Sequence, residues 1–159
     1  MHPQLHLPVA ALAATLLLGP PAPQQPSACS LLTEAEVNAA LEIKTLPGKP
    51  PEPAFPRLCM WSDAPDGAIG HRRVTLSLTS KTAFDFVKGN GHIKTEPVSG
   101  IGDEAYYQSF GSDSPLLAVR KGSSSFSIRI LNGLKMKPFT LAQEKAKEAD
   151  LAKAVVAKL

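Results

Sequence analysis

The sequence predicts an α+β domain: a mainly antiparallel sheet with helices on one face, a short N-terminal helix and a long C-terminal helix. Two observations carry this. Short runs alternate apolar and polar residues between glycine- and serine-rich turns, as in RVTLSLT (Arg73 to Thr79) and SFSIRIL (Ser125 to Leu131). Parallel neighbours need helical crossovers, and only two interior junctions have room for one.

The elements follow in order. In LTEAEV, Thr33 as N-cap and Glu36 three residues on make a capping box, with Leu32 and Val37 placed as a hydrophobic staple. Val37, Ala40 and Leu41 share a face that should pack on the sheet, leaving Glu34 and Asn38 to water. Ile43 to Leu46 reads as a brief strand, and the PGKPPEPAFP segment after it as an exposed, extended loop, because proline cannot donate ladder hydrogen bonds. Leu58 to Ser62 and Arg73 to Thr79 form a hairpin around the DAPDG turn. Ser80 caps a second helix through Lys88 that buries Ala83, Phe84 and Val87, with Gly89 at a left-handed exit. Ile93 to Val98 extends toward SGIGD. Ala105 to Phe110, Leu116 to Lys121 and Ser125 to Leu131 read as a meander through the turns GSDSP and KGSS. From Thr140 a helix runs toward Leu159, its apolar stripe comprising Leu141, Ala142, Ala149, Ala152, Val155, Val156 and Leu159.

A length of 159 residues suits one domain. The run Val9 to Leu18 has the length of a signal h-region and falls short of the roughly 20 residues that span a bilayer. Residues 1–28 are therefore read as a signal peptide with a proline-rich spacer, and residues 29–159 as the single α+β domain. The n-region is atypical, since no Lys or Arg precedes Lys44. A charge of +3 without an arginine-rich run or an aromatic platform gives no reason to expect nucleic acid.

Cys29 decides the compartment. Pro26 stands where a lipoprotein signal carries an aliphatic residue, and a proline-rich spacer separates the apolar run from Cys29, so lipidation is disfavoured. A catalytic thiol would need His71 or His92 as partner, and no local motif supports either. Cys59 is the one other cysteine, and in an oxidising compartment a count of two most simply pairs. The expected site is a Cys29 to Cys59 disulfide in an exported protein, periplasmic or secreted, with no membrane span in the mature chain.

The phrases CSLLTEAEVNAAL, CMW, VSGIGDEAYY, LLAVRKG and LAQEKAKEADLAKAVVAKL together resemble a broad group of bacterial secreted proteins and lipoproteins that contain a small α+β domain of unknown function. The likeness covers most of the chain beyond Cys29. It implies an envelope or secreted setting and no particular reaction. In that group the C-x-L-L-T phrase often begins the folded domain after any lipidated cysteine, which supports the disulfide here.

No residue pattern carries catalysis. GIGDE lacks the third glycine of a dinucleotide fingerprint and the P-loop lysine. Asp103 and Glu104, adjacent at a strand entrance, should point to opposite sides, so the stretch reads as a turn. His71, Arg72 and Arg73 make a positive cluster that reads as a solvated strand end before it reads as an anion site. His92 is isolated. The histidines and cysteines lack paired zinc spacing, so no metal and no cofactor is expected. Neither G-x-S-x-G nor a serine three residues before a lysine occurs. Trp61 should pack against the disulfide, and of Tyr106 and Tyr107 one should face inward. The weak binding candidates are Arg73, Thr75, Ser77, Ser127 and Arg129, which alternation sends together to the second sheet face. The expected function is a non-enzymatic binding or interaction domain of the cell envelope or secreted fraction with an unknown envelope protein or polymer as partner, the cationic sheet face suiting an acidic protein or an envelope polymer. The alternatives are an envelope hydrolase with a dispersed polar site, and an inhibitor or stabiliser of another envelope protein with an apolar rim around the proline-rich loop.

Overall fold

The computed structural model describes residues 26–65, 70–109, 114–133 and 137–159. The run read as an export peptide lies outside the described residues, as do part of the DAPDG turn, Phe110 and most of the GSDSP turn. Among the described residues six strands, β1 (Leu58–Ser62), β2 (Arg73–Thr79), β3 (Lys94–Val98), β4 (Glu104–Ser109), β5 (Leu116–Lys121) and β6 (Ser124–Leu131), form one sheet in the order β1-β2-β6-β5-β4-β3. Every neighbouring pair is antiparallel. The α+β class, the β1/β2 pair and the meander β4, β5, β6 match the alternation in the sequence.

Among the described residues, three α-helices flank the sheet. α1 (Glu34–Leu41) starts with a complete capping box: Glu36 N–H donates to Thr33 Oγ1 at 3.2 Å, and Thr33 N–H donates to Glu36 Oε2 at 2.6 Å. The staple residues Leu32 and Val37 are both buried. α3 (Leu141–Val156) repeats the device with Thr140 and Gln143. One sheet face, lined by Val74, Leu76, Leu117, Phe126, Ile128 and Ile130, meets Leu151, Ala152 and Val155 of α3 and Val37 and Leu41 of α1 in the main core. α1 packs mostly on α3 rather than on the strands, and Lys158 to Glu36 and Lys147 to Glu42 ion pairs tie the two helical segments together.

The expectation of helices on one face is corrected by α2 (Lys81–Gly89), which lies on the other. Tyr106 and Tyr107 are consecutive in β4 and so point to opposite faces. Tyr107 joins the main core and donates its O–H to the Lys145 carbonyl at 2.6 Å. Tyr106 sits under α2, its O–H on the Phe84 carbonyl at 2.8 Å and its ring centroid 4.8 Å from that of Phe84. Ala118, directly opposite Tyr106 on β5, is short enough to let Phe84 settle there. Ser80 caps α2 as expected, accepting from Ala83 N–H at 3.0 Å. Ala83 is exposed, and Gly89 belongs to the helix, whose exit at Asn90 is extended rather than left-handed.

Two further expectations change. The buried stripe of α3 runs through Glu144, Glu148, Leu151, Ala152 and Val155, leaving Leu141 and Ala142 exposed. Residues 43–46 form no strand. Instead the following loop borders β1: Leu46 N–H donates to the Ser62 carbonyl at 2.8 Å, and Lys49 and Met60 exchange both backbone bonds, at 3.1 and 2.9 Å. This segment covers a sheet edge that would otherwise offer unpaired backbone groups.

The Cys29–Cys59 disulfide, with Cα atoms 5.0 Å apart, staples the 3-10 turn at Ala28–Ser30 to β1. The bond occupies both sulfurs, and no free cysteine occurs among the described residues. Trp61, two residues along β1 from Cys59, is buried in the same core, as its place beside the disulfide predicted.

Candidate functional site

The second sheet face is divided. α2 covers β4 and β5 through Phe84, with Tyr106, Ala118 and the partly buried Val87 and Leu116 beneath it. α2 also reaches β6, whereas among the described residues the β1 and β2 part has no helix packed on it to the same extent, and the five residues expected to share a surface meet on β2 and β6. Register sets Thr75 opposite Arg129, Ser77 opposite Ser127, and Arg73 opposite Leu131. β1 extends the same rows with Leu58 beside Ser77, Met60 beside Thr75 and Ser62 beside Arg73. Each of these residues is half-buried, as expected of groups standing on a pleat beside short neighbours.

The two arginines differ. Arg129 donates from Nη2 to the Ser114 carbonyl at 3.3 Å, which makes it part of the β5/β6 end of the scaffold. Arg73 makes no ion pair or side-chain hydrogen bond among the described residues. It lines a cleft of about 170 Å³ between β1 and the proline-rich loop, whose apolar wall includes Leu46, Pro47, Met60 and Pro65.

The other candidates are absorbed by structure. Gly100 and Gly102 hold positive φ values of 80° and 61°, and Asp103 accepts the Gly122 N–H at 2.6 Å, a turn as the sequence suggested. At Gly102 a Cβ would also strike the Arg120 carbonyl. The Gly122 amide and then Lys121 hold the Asp103 carboxyl below its ordinary range, while Lys88 and then Arg120 do the same for Glu104. Both stay ionised and paired, a poor state for proton transfer. Arg72 departs from the solvated strand end expected of it. It is buried, donates to the Leu41 and Lys137 carbonyls at 2.8 and 2.7 Å, and lies 3.8 Å from the Phe139 ring centroid. His71 Nδ1 is 3.2 Å from Asp63 Oδ1, within ion-pair range but without hydrogen-bond alignment. No hydroxyl is bonded to His71 among the described residues, so a nucleophile and base do not assemble there. His92 is exposed, and no group of three metal-binding side chains occurs among the described residues.

Sequence reasoning missed Glu144 and Glu148. Both are buried on the core side of α3. Asn132 Nδ2 donates to Glu144 Oε1, and Ile130 N–H donates to Glu148 Oε1 at 2.8 Å. Their spacing held the signal: 144, 148, 151 and 155 share one helical face with Leu151 and Val155.

Compared with protein-family models, curated proteins and solved structures, the chain matches none.

Proposed function

We propose that the chain is a non-enzymatic binding domain of the bacterial cell envelope or secreted fraction. It is held by its disulfide and engages an acidic protein or polymer through the uncovered half of its sheet. The observation that carries this reading is Arg73, a guanidinium without a partner among the described residues, on the part of the sheet face away from α2. Elsewhere on the fold most cations are spent on named partners: Lys88 and Arg120 on Glu104, Lys121 on Asp103, Lys145 on Glu96, Lys147 on Glu42. Charge complementarity then favours acidic partners at the remaining positive surface. Export fits the disulfide, which reducing cytoplasm would not maintain.

The test is capture from an envelope extract by the immobilised oxidised chain, compared with Arg73→Ser and with Arg73→Ser combined with Arg129→Ser. Capture of an acidic partner should fall at least tenfold in both variants and weaken as salt rises. Unchanged yields would remove the reading. Mass measurement of the chain recovered from cells, under reducing and non-reducing conditions, checks export cleavage and the disulfide together.

An inhibitor or stabiliser of another envelope protein is supported by a separate observation. Leu46 is 44% and Phe55 54% exposed in the proline-rich loop, an apolar rim suited to a protein surface. Replacing both with Ser should abolish a protein partner while leaving an acidic polymer bound.

A further inference from the structure

The cleft beside Arg73 has a chemistry narrower than a cationic face. One side of it is apolar: Leu46, Pro47, Pro51, Met60, Ala64 and Pro65. Its polar groups are Lys49, Ser62 and Arg73. Ser62 and Arg73 are direct cross-strand neighbours. The Ser62 Oγ accepts the Ala64 N–H at 3.3 Å, which leaves its O–H to donate. An arginine fork and a hydroxyl proton side by side form a donor pair matched to a carboxylate. The three prolines have no N–H to offer, so on that side the wall contributes surface rather than an anion grip. The wall is already in place, because residues 46–49 are hydrogen-bonded along the edge of β1.

Size limits the occupant. At about 170 Å³ the space lies below the several hundred Å³ typical of drug-sized ligands. It suits a single branched or aromatic side chain. We propose that this cleft binds the carboxyl-terminal residue of a peptide chain ending in a bulky apolar side chain. The side chain lies against the proline-rich wall and the terminal carboxylate meets Arg73 and Ser62. This deepens the reading of the sheet face as an acidic-partner surface and rests on it.

The experiment titrates the oxidised full chain with N-acetyl-leucine, followed by amide NMR shifts at Met60, Ser62 and Ala64. N-acetyl-leucinamide and N-acetylglycine serve as comparison probes, and poly-glutamate is titrated in parallel. N-acetyl-leucine should shift those amides saturably. The amide probe, which lacks the charge, and the glycine probe, which lacks the side chain, should each bind at least tenfold more weakly. Arg73→Gln should weaken N-acetyl-leucine by a similar factor, with the unliganded spectrum otherwise retained. Equal binding of acid and amide, or shifts that map away from β1, would overturn the proposal. If poly-glutamate binds while N-acetyl-leucine does not, the cleft assignment fails and the broader cationic-face reading stands. If neither binds, both fail.

Discussion

Glu148 Oε1 accepts the Ile130 N–H at a point where β5 has run out: the last β5/β6 pair at that end is Leu117 with Ile128. The helix thus supplies an acceptor that the sheet lacks. Its other oxygen has no hydrogen-bond partner among the described residues, and desolvation first, then the nearby Glu144, push the Glu148 carboxyl up to about 8. Arg129, Lys145 and the Ile130 amide oppose that rise without cancelling it. Burial likewise raises Glu144. Because the folded state holds the Glu148 proton more tightly than the unfolded chain does, its contribution is complete below about 4.5 and is lost as pH rises through about 8. Urea unfolding from pH 5 to pH 9 should show stability falling by a few kcal/mol. Glu148→Gln, which keeps an acceptor for Ile130, should flatten that fall; equal slopes in both proteins would refute the assignment. Glu36 acts in the opposite direction. Its hydrogen bond from Lys158, then the Thr33 amide, hold it down at about 2, so its contribution is present above 4.5 and lost as pH falls toward 2. Gly48 poses a steric question. A Cβ there would come within 2.2 Å of the Trp61 indole nitrogen. Gly48→Ala should cost about 1 to 3 kcal/mol in the same assay, with changed tryptophan emission.

At the scale of elements, α2 is attached chiefly by Phe84 over Tyr106 and Ala118, while Phe86 on the same helix is 69% exposed. Phe84→Ala should therefore cost about 3 kcal/mol and raise amide exchange in α2 well before α3. Uniform exchange across both helices would count against a separately held α2. The helix starts were legible because capping is local: Thr33 and Glu36, or Ser80 before a helical run, carry the signal within a few residues. Strand positions were legible for the same reason, since alternation is a property of each segment. The side of the sheet on which α2 lands was not. That choice depends on the tyrosine pair of β4 and on a small residue in β5, positions more than 20 residues from Phe84. The α3 stripe was misplaced because glutamates are expected on wet faces, and only the unpaired end of β6 explains one inside. The polar row on β2 and β6 was readable from alternation, whereas the difference between Arg73 and Arg129 was not, as it rests on the Ser114 carbonyl in the loop that leads into β5.

At the scale of the molecule, the sheet is sandwiched at β4 and β5 and covered on a single face at β1 and β2. The thinner end carries the disulfide and the proposed binding cleft together. Cross-linking across 30 residues contributes roughly 3 to 4 kcal/mol in the entropic model. Cys29→Ser with Cys59→Ser should lose about that much in urea unfolding, with the loss mirrored by reduction of the unaltered chain. A stability equal to that of the oxidised form would show that packing around Trp61 suffices. The strand order adds a temporal consequence. Both cysteines precede β2, but the neighbour of β2 on its far side is β6, some 50 residues later in the chain. In an oxidising compartment the segment through Cys59 can thus be cross-linked while the flank of β2 still lacks its ladder, so a chain truncated after β2 would carry the disulfide yet display Val74 and Leu76 on a strand open to any passing chain.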